Sequence, residues 1–547
     1  MSLMECRIAV MLVALAAPVL LSLLRFVPGL SVSTAWMYFM AVLIYPATWG
    51  KRHREPIGTV VGGGLMPTRG QTLYIALIST LNVLFLITPY VTTHPQSTFT
   101  SLREQEISVI GNRAGVMAMG NAVAMFIFAS RNNPLLLITD WSHSTYLLLH
   151  RWLGYWTIFH TILHSVMLLA YYKIQGTYED ELAREYWRWG IVATVSVSII
   201  LPTSLLIVRQ KLYELFLALH ILLSVLFITG YFLHIWYCYQ YNWGYEIFAY
   251  IVGGIWATER VLRLARMALK GIHTATITQV PGSNGEYLRV DIEDVRLTGV
   301  AYLCFPTLSW RFWETHPFSV VPRMPETQDE ESSIHVSLPS ALNEKTPHLS
   351  NRPIHMHVDN HQPSSHKDSP PSSRAGATFI LRTRQGITKN LAARLASSGS
   401  APLRIRVLVE GSYHSGAASQ LPRCGGILCI AGGVGITGVL PYLRGVSGAC
   451  RGKLVWGVRG RGLVEAFGGE LEGLAGGVEV QTLVGVRMDV REVVRKEMMG
   501  GGERGLLGVV VCGPAGMADE VRRAVTELGR ESETMRPFVL VDEAFTW

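Results

Sequence analysis

The chain has 547 residues, which is long enough for two or three domains, and it carries 49% hydrophobic but only 16% charged residues. Its formal net charge is +8, yet it has no basic recognition helix, and much of the positive excess lies in short loops beside apolar runs, so no nucleic-acid partner is expected. The seven cysteines are odd in number, scattered and without a CxxC pair, which excludes a disulfide framework and a zinc site built on such a pair.

Almost all the long apolar runs precede residue 263, which indicates a membrane half followed by a soluble half. A helix needs roughly 20 residues to cross a hydrocarbon core of about 30 Å. The first candidate run is either a spanning helix or the core of a cleaved signal peptide, and the second is short. The eight candidates are 8–24, 34–49, 71–92, 107–130, 141–172, 187–208, 211–237 and 243–262.

Basic residues concentrate in alternate loops, at 51–54, 131, 209–211 and 260–270, whereas the loop 176–185 is acidic. Because basic loops stay on the cytosolic side of a membrane, the half that follows residue 270 is expected in the cytosol.

Two of the apolar runs each contain a pair of histidines fourteen residues apart. Fourteen steps of about 100° fall only about 40° short of four turns, so both imidazoles of a pair leave one helix face about 21 Å apart. A lone histidine in an apolar helix is usually structural, but two equal pairs on neighbouring helices favour two stacked haems with no axial position open. The predicted iron ligands are His150, His164, His220 and His234, whereas His160 lies about 80° off this stripe and His143 lies near the membrane edge.

Short alternating strands between turn residues follow from residue 271, as in a small antiparallel barrel. A polar stretch at 326–377, rich in Pro, Ser and His, is predicted to be a disordered insertion. It is interpreted as a solvated linker, with a metal-sensing tail as the alternative. From residue 426 onward, apolar strands alternate with glycine turns and helical runs, which predicts a parallel sheet in an α/β domain.

A glycine-rich turn with Gly432, Gly433, Gly435 and Thr437 follows a predicted strand and opens a helix, a setting that suits a pyrophosphate. The acidic residue that usually binds the ribose about 20 positions later is replaced by a segment ending in Arg459, and a cation there suits the 2′-phosphate of NADPH.

Further motifs predict contacts with a flavin and with the nicotinamide end of a dinucleotide. His316-Pro317-Phe318-Ser319 presents a planar ring and a hydroxyl from an extended backbone, and Arg382 with Thr388 at a helix start suits a flavin pyrophosphate. Cys512-Gly513 ends a strand before a helix, and the aromatic Trp547 is predicted to stack on the flavin until nicotinamide displaces it.

From about Arg113 to Trp547, apart from the insertion, the sequence resembles the fungal ferric reductase transmembrane component family, relatives of the NADPH oxidases. The motifs that carry the resemblance are Arg131-Asn132-Asn133-Pro134, the histidine pairs, 316–319, 431–437, 512–514 and 542–547. The chain departs from the family at Glu410-Gly411-Ser412-Tyr413-His414, where the family has Glu-Gly-Pro-Tyr-Gly, and at Leu297-Thr298-Gly299, where it has Pro-Gly-Gln.

The resemblance implies that the four histidines ligate two b-type haems, that 316–319 with Arg382 and Thr388 bind FAD, and that 432–437 with Cys512 bind NADPH. The expected fold is a multi-pass α-helical membrane domain followed by a cytosolic ferredoxin-reductase-like module, an antiparallel β-barrel for FAD and a Rossmann-like α/β domain for NADPH. The expected domains are N-terminal membrane segments at 1–106, the haem-binding domain at 107–270, the FAD domain at 271–425 and the NADPH domain at 426–547.

The expected function is reduction of Fe(III) chelates, or of Cu(II) chelates, outside the cytosol, in support of iron uptake with a ferroxidase and permease system. The expected location is the plasma membrane, with the vacuolar membrane as the alternative. An NADPH oxidase that makes superoxide is the nearest rival. The resemblance favours a metal substrate, because both histidine pairs here have a fourteen-residue spacing, whereas oxidases usually shorten the second. A transporter or scaffold without catalytic activity would leave the nucleotide motifs unexplained.

Overall fold

The computed structural model describes residues 3–54, 56–57, 64–88, 95, 97–308, 314–323, 375–399, 401–413, 419–446, 450–474, 476–500, 505–531 and 535–543. Most of the predicted insertion at 326–377 therefore lies outside the described residues. The barrel sequence was expected to resume at Phe379, and the strand there begins three residues earlier, at Gly376.

The described residues up to 270 form helices joined by turns and loops, with one pair of short antiparallel strands, β1 (Pro56–Ile57) and β2 (Gly64–Leu65). The helices are α1 (Leu3–Leu23), α2 (Thr34–Phe39), α3 (Arg69–Ile87), α4 (Leu102–Ala129), α5 (Pro134–Thr139), α6 (His143–Gln175), α7 (Tyr178–Leu182), α8 (Glu185–Thr203), α9 (Leu206–Lys211), α10 (Tyr213–Tyr239) and α11 (Tyr245–Lys270).

Four helices within the described residues are long and apolar enough to cross a membrane, namely Glu5–Phe26, Arg69–Ile87, His143–Gln175 and Tyr213–Tyr239. Three further predicted runs form the long helices α4, α8 and α11, which do not meet this criterion of length and composition. Much of α4 is buried, and it packs along both α6 and α1. Because so little of α4 faces outward, its sequence does not need the continuous apolar surface of a lipid-exposed helix.

Helix α1 is fixed to the membrane domain by a close backbone approach and by a buried cation. A Cβ on Gly120 of α4 would lie 2.5 Å from the carbonyl oxygen of Arg7, so only glycine allows this contact. The Arg7 guanidinium lies over the rings of Tyr245 and Phe248, 4.5 and 4.6 Å from their centroids. These contacts place the start of α1 against the start of α11.

Seven antiparallel strands follow α11, in the order β6-β5-β9-β3-β4-β8-β7. Alternate residues of these strands, together with the inner face of helix α12 (Ile387–Ser397), form one hydrophobic core. The strands are β3 (Ile272–Gln279), β4 (Tyr287–Glu293), β5 (Val300–Cys304), β6 (His316–Ser319), β7 (Val321–Arg323), β8 (Gly376–Arg382) and β9 (Leu403–Tyr413). The predicted antiparallel barrel-like sheet is confirmed.

The last part of the chain is a five-stranded parallel sheet in the order β12-β11-β10-β13-β14, with a hydrophobic core on each face. Its strands are β10 (Gly426–Gly432), β11 (Arg451–Val458), β12 (Val478–Val484), β13 (Leu507–Cys512) and β14 (Phe538–Asp542). Its helices are α13 (Ile436–Arg444), α14 (Gly462–Ala466), α15 (Gly468–Glu472), α16 (Val490–Met499) and α17 (Ala515–Glu531). The predicted α/β class is confirmed.

The run 34–49, predicted as a candidate membrane helix, is instead part of a segment that packs against the parallel sheet. We call residues 34–54 the strap. Its apolar helical part spans only Thr34–Ile44, about 16 Å at 1.5 Å per residue, which is too short for a bilayer core. Met37 and Ala41 of the strap are buried in the core that covers one face of the sheet, so its apolar side faces protein.

Charged groups fix the end of the strap to α17 and β14. The Arg54 backbone N–H donates to Asp519 Oδ1 (2.8 Å), and the Arg54 side chain donates from Nε to Asp542 Oδ2 (3.0 Å), which also accepts from Arg522. Burial would raise the pKa of the Asp542 carboxyl, but Arg54 and Arg522 outweigh it and hold that pKa below its usual range. Asp542 is therefore ionised at neutral pH.

His53 is buried in this contact, and its Nδ1 lies 2.6 Å from the Met66 carbonyl oxygen. Burial, with Arg522 and Arg54 adding to it, lowers the pKa of His53 to about 3. Because the folded state takes up the proton less readily than the unfolded state, His53 contributes stability above about pH 6.5 that is lost as the pH falls toward 3.

We therefore expect the melting temperature of the detergent-purified chain to fall more steeply between pH 7 and pH 5 than that of His53→Asn. Between pH 6.5 and pH 5, protonation of His53 in the unfolded state should lower the free energy of unfolding by about 2 kcal/mol, at about 1.4 kcal/mol per pH unit. His53→Asn should not show this loss. Asparagine keeps a donor for Met66 but does not titrate. Scanning calorimetry at several pH values measures both slopes, and equal slopes would contradict the role of His53.

Candidate functional site

The structure brings the four predicted histidines together as two facing pairs between α6 and α10. The ring centroids of His150 and His220 are 6.3 Å apart and those of His164 and His234 are 6.1 Å apart, with interplanar angles of 72° and 81°. Metal–imidazole bonds of about 2.0–2.1 Å on both sides of one iron put two ring centroids about 6.3 Å apart. The spacing of each pair therefore fits a single iron with two axial imidazoles.

Hydrogen bonds orient three of the imidazoles. The Nδ1 atoms of His150, His164 and His234 lie 2.9, 2.8 and 2.8 Å from the carbonyl oxygens of Met125, Gly111 and Tyr186. A carbonyl only accepts, so Nδ1 carries the proton and the Nε2 lone pair is left for a metal. The Nδ1 of His220 lies 3.3 Å from the Ser204 hydroxyl, so each imidazole of the site is held through Nδ1.

Two glycines make room for the pair formed by His164 and His234, and the sequence interpretation did not identify them. A Cβ on Gly115 of α4 would lie 2.7 Å from His164 Nδ1, and a Cβ on Gly190 of α8 would lie 2.9 Å from His234 Nδ1. Any larger residue at either position would displace an imidazole. The sequence signal that could have identified them is a glycine in each of the helices α4 and α8, which pack beside the histidine-bearing helices α6 and α10.

His160 of α6 lies outside these pairs. The Nε2 of His160 lies 3.0 Å from Asn82 Oδ1, and the Asn82 and Asn121 side chains bond to each other in the same buried cluster. In the part of the chain that the structure describes, no group of three or more His, Cys, Asp or Glu side chains is arranged to hold a metal ion. Each facing pair therefore offers two imidazoles to a ligand, without a third such side chain beside it among the described residues.

The glycine-rich turn lies where the order of the parallel sheet reverses. With β10 in the middle, β11 and β12 extend to one side and β13 and β14 to the other, so the crevice between the carboxyl ends of β10 and β13 is the expected ligand position. Gly432 at the end of β10, Gly435 in the turn that follows and Gly513 after β13 lie so close to neighbouring atoms that a Cβ on any of them would overlap one. Gly433, with φ of 56°, adopts a backbone conformation that favours glycine.

The flavin motif and the Cys512 motif converge on the helix that follows this turn. A Cβ on Gly438 of α13 would lie 2.7 Å from Cys512 Sγ and 3.7 Å from Ser319 Oγ. Burial raises the pKa of the Cys512 thiol, and Cys512 Sγ–H donates to the Glu543 carbonyl oxygen at 3.4 Å. Cys512 is thus a neutral thiol that shapes the crevice, and nucleophilic chemistry at this thiol is not expected.

The remaining predicted nucleotide residues lie on β6, β8, α12 and α13. His316, Pro317 and Phe318 lie on β6 with Ser319, and Thr388 is buried in the first turn of α12, where its hydroxyl accepts from the Arg384 N–H. Arg382, at the end of β8, pairs with Glu286 at 2.8 Å. Thr437, in the first turn of α13, donates to the Val434 carbonyl oxygen. The predicted Trp547 lies outside the described residues.

Arg459 is exposed at the carboxyl end of β11 and lines a cleft between the antiparallel and the parallel sheet. The opposite wall includes Ser283, Glu286 and Tyr287, and Gly462 closes one end. Burial raises the pKa of Tyr287, with Glu286 adding to the effect, so this wall presents a neutral phenol to the Arg459 guanidinium. The cleft offers a cation and hydroxyl groups to an anionic ligand.

Residues 114–231 match the model of a family described as ferric reductase like transmembrane component. The chain is 26% identical over 450 residues to a probable ferric reductase transmembrane component of Candida albicans, and 25% identical over 445 residues to ferric reductase transmembrane component 4 of Saccharomyces cerevisiae. These alignments cover 79% and 78% of this chain but 58% and 53% of the relatives, so the chain spans little more than half of their length. The resemblance to this family is confirmed.

The second half also shows likenesses to solved reductases. Phthalate dioxygenase reductase is 14% identical, with a TM-score of 0.29, over 51% of this chain and 69% of its own. The ferredoxin reductase in carbazole 1,9a-dioxygenase is 14% identical, with a TM-score of 0.30, over 50% of this chain and 69% of its own. These scores are low, so the fold class rests on the strand order itself.

The crevice geometry predicts that Gly435→Ala destabilises the parallel sheet by about 1–3 kcal/mol, because its Cβ would overlap the backbone carbonyl of Cys512. Gly460→Ala is the matched control, since nothing lies within 4 Å of a Cβ at that position, and it should change stability by no more than about 0.5 kcal/mol. Denaturant unfolding of both purified variants measures the difference. Equal losses would show that the close approach of the two strand ends has no energetic consequence.

Proposed function

We propose that this chain is a transmembrane metalloreductase that takes electrons from cytosolic NADPH and delivers them, by way of FAD and two b-type haems, to Fe(III) or Cu(II) chelates on the other side of the membrane. The observation that carries this proposal is that His150 faces His220 at one depth and His164 faces His234 at another. In each pair the two rings are as far apart as two imidazoles bound to one iron would be. The family match across the same helices supports it.

The four histidines would hold the irons, two imidazoles for each haem. When bound, FAD supplies hydride acceptance and the release of single electrons, and the haems supply single-electron relay across the bilayer. The chain contributes the placement: α4 and α8 fix the imidazole rings through backbone carbonyls, and glycines in the same two helices leave space for them.

In the second half, the carboxyl ends of β10 and β13 would take the pyrophosphate of NADPH, since Gly432, Gly435 and Gly513 allow these two strand ends to pack closely where the order of the sheet reverses. His316 to Ser319, Arg382 and Thr388 would hold FAD. The approach of Ser319 and Cys512 to Gly438 supports a shared position for the flavin and the nicotinamide. Trp547 would stack on the flavin in the absence of nicotinamide.

The basic loops support a cytosolic position for the nucleotide-binding half. His150 and His220 would then be at the inner level, and His164 and His234 at the outer level. Moving an electron outward across a membrane that is negative inside gains about 2.3 kcal/mol per 100 mV.

We place the protein in the plasma membrane, or alternatively the vacuolar membrane, where it would supply a ferroxidase and permease system with reduced metal. The domain extents proposed for this chain remain 1–106, 107–270, 271–425 and 426–547.

We expect His234→Ala to lower the haem content from about two to about one per chain and to abolish ferric reduction by intact cells, because the outer iron loses an axial ligand. NADPH should still reduce the flavin. His160→Ala removes an imidazole of α6 that lies outside the pairs and should keep both haems.

Haem content is read from the spectrum of dithionite-reduced membranes, and ferric reduction is measured together with superoxide. Unchanged ferric reduction in His234→Ala would exclude the proposed path. Superoxide as the main product of the unmodified chain would assign an NADPH oxidase.

Arg459→Glu should raise KM for NADPH at least tenfold and leave KM for NADH nearly unchanged, because Arg459 would contact the 2′-phosphate that NADH lacks. Arg451→Glu is the matched control, since Arg451 begins the same strand at its opposite end. Steady-state reduction of a soluble dye by each nucleotide gives the four constants, and equal changes for both nucleotides would reject this role of Arg459.

A further inference from the structure

A buried carboxylate joins the antiparallel sheet to the membrane domain. Glu410, on β9, is fully buried (0% exposed). Its carboxylate accepts from Arg131 Nη1 (2.9 and 3.1 Å), from Arg263 Nε and Nη2 (2.8 and 3.0 Å) and from the Tyr413 hydroxyl (2.7 Å). We call Glu410, Arg131, Arg263, Tyr413 and Thr315 the Glu410 cluster. Both arginines come from the membrane half, so the ion pairs cross between the two halves.

The charge state of the cluster follows from its partners. Burial would raise the pKa of Glu410, but the hydrogen bonds and charges of Arg263 and Arg131 outweigh it and hold that pKa below its usual value. Arg263 contacts both carboxylate oxygens through Nε and Nη2, a geometry that fixes orientation as well as distance. The contact is therefore ionised and directional at neutral pH.

On the membrane side, the cluster is connected to the inner histidine pair through α4. Met125, whose carbonyl holds His150, lies six residues before Arg131. The loop between α4 and α5 is also fixed to α11, because Glu259 accepts from Ser130 Oγ (2.6 Å) and from the backbone N–H of Arg131 (3.1 Å). The loop that carries Arg131 and the helix that carries Arg263 are therefore held together by hydrogen bonds, on the side of the membrane domain that is proposed to be cytosolic.

On the sheet side, the cluster is connected to the flavin motif. Tyr302 of β5 is in register with Pro317 on one side and with Glu410 on the other, and the Arg131 guanidinium lies 3.5 Å from the Tyr302 ring centroid. Thr315 immediately precedes His316, and its hydroxyl lies 3.4 Å from Arg131 Nη1 and 3.3 Å from Arg263 Nη2. The same two guanidinium groups therefore touch Glu410 and the start of the flavin motif.

We propose that the Glu410 cluster is a positioning device that fixes the flavin motif relative to the inner histidine pair and thereby sets the rate of electron transfer between the two halves. This inference rests on the proposed function. It assigns to Glu410 a task different from nucleotide docking, and it makes Arg131 and Arg263 positioning residues. A contact that served folding alone would not separate the two partial reactions of the chain.

The test uses the full chain in lipid nanodiscs, with Glu410→Gln as the main variant and Glu293→Gln, an exposed position on β4, as the matched control. Stopped-flow absorbance follows flavin reduction by NADPH and then haem reduction. In Glu410→Gln the flavin step should stay within about twofold of the unmodified chain, whereas haem reduction should slow at least tenfold, because two buried guanidinium groups lose their shared anion. The Soret spectrum should not change.

Hydrogen exchange gives a readout that does not depend on turnover. Peptides covering 129–133 and 314–319 should exchange faster in Glu410→Gln than in Glu293→Gln. Arg263→Lys keeps the positive charge but loses the two-nitrogen contact, and it should slow haem reduction by about threefold. This variant decides the question if Glu410→Gln does not fold.

Haem reduction as fast as in the control, or a flavin step slowed to the same degree as the haem step, would overturn the inference. An unmodified chain without haem absorbance, or without NADPH-dependent flavin reduction, would instead refute the proposed function, and the inference would fail with it.

Discussion

The membrane half depends on one requirement: each imidazole N–H in an apolar interior must find an acceptor. Backbone carbonyls of α helices are already used within the helix, so an outside N–H can share one only where two helices pack very closely. For His164 and His234 this approach occurs at Gly111 and Tyr186, beside Gly115 and Gly190. The need to hold the imidazoles thus explains why α4 packs along α6 and why α8 packs along α10.

The features that could be predicted from sequence are those that depend on the local spacing of residues. A fourteen-residue spacing determines the face of a helix without knowledge of its neighbours, and the pairs of α6 and α10 do face each other. Alternating apolar residues likewise identified β3, β4 and β5, and continuous apolar runs identified β10 to β13. The glycine turn could be placed after β10 because its chemistry is local.

The features that were not predicted depend on contacts between distant residues. An apolar stretch such as 34–49 indicates only that a surface will be buried, and its sequence does not say whether lipid or another part of the chain covers it. Here Met37 and Ala41 enter the core beside the last strand. Glu410 was read only as part of a motif, because its partners Arg131 and Arg263 lie 279 and 147 residues away. Strand β14 was not predicted. Its position beside β13 likewise depends on pairing between residues that are distant in the sequence.

The strap and the Glu410 cluster both connect the two halves but differ in physical character, and this difference has a consequence for the geometry of the crevice. The strap combines an apolar face with the Asp542 ion pairs, and Asp542 precedes Glu543, whose carbonyl accepts from Cys512. The strap therefore anchors β14, the edge strand of the parallel sheet. The neighbouring strand, β13, ends at the predicted nicotinamide site. The Glu410 cluster anchors the antiparallel sheet beside the flavin motif through ion pairs and hydrogen bonds. Because each sheet has its own anchor on the membrane half, the relative position of Ser319 and Cys512 depends on both anchors as well as on the cleft between the sheets.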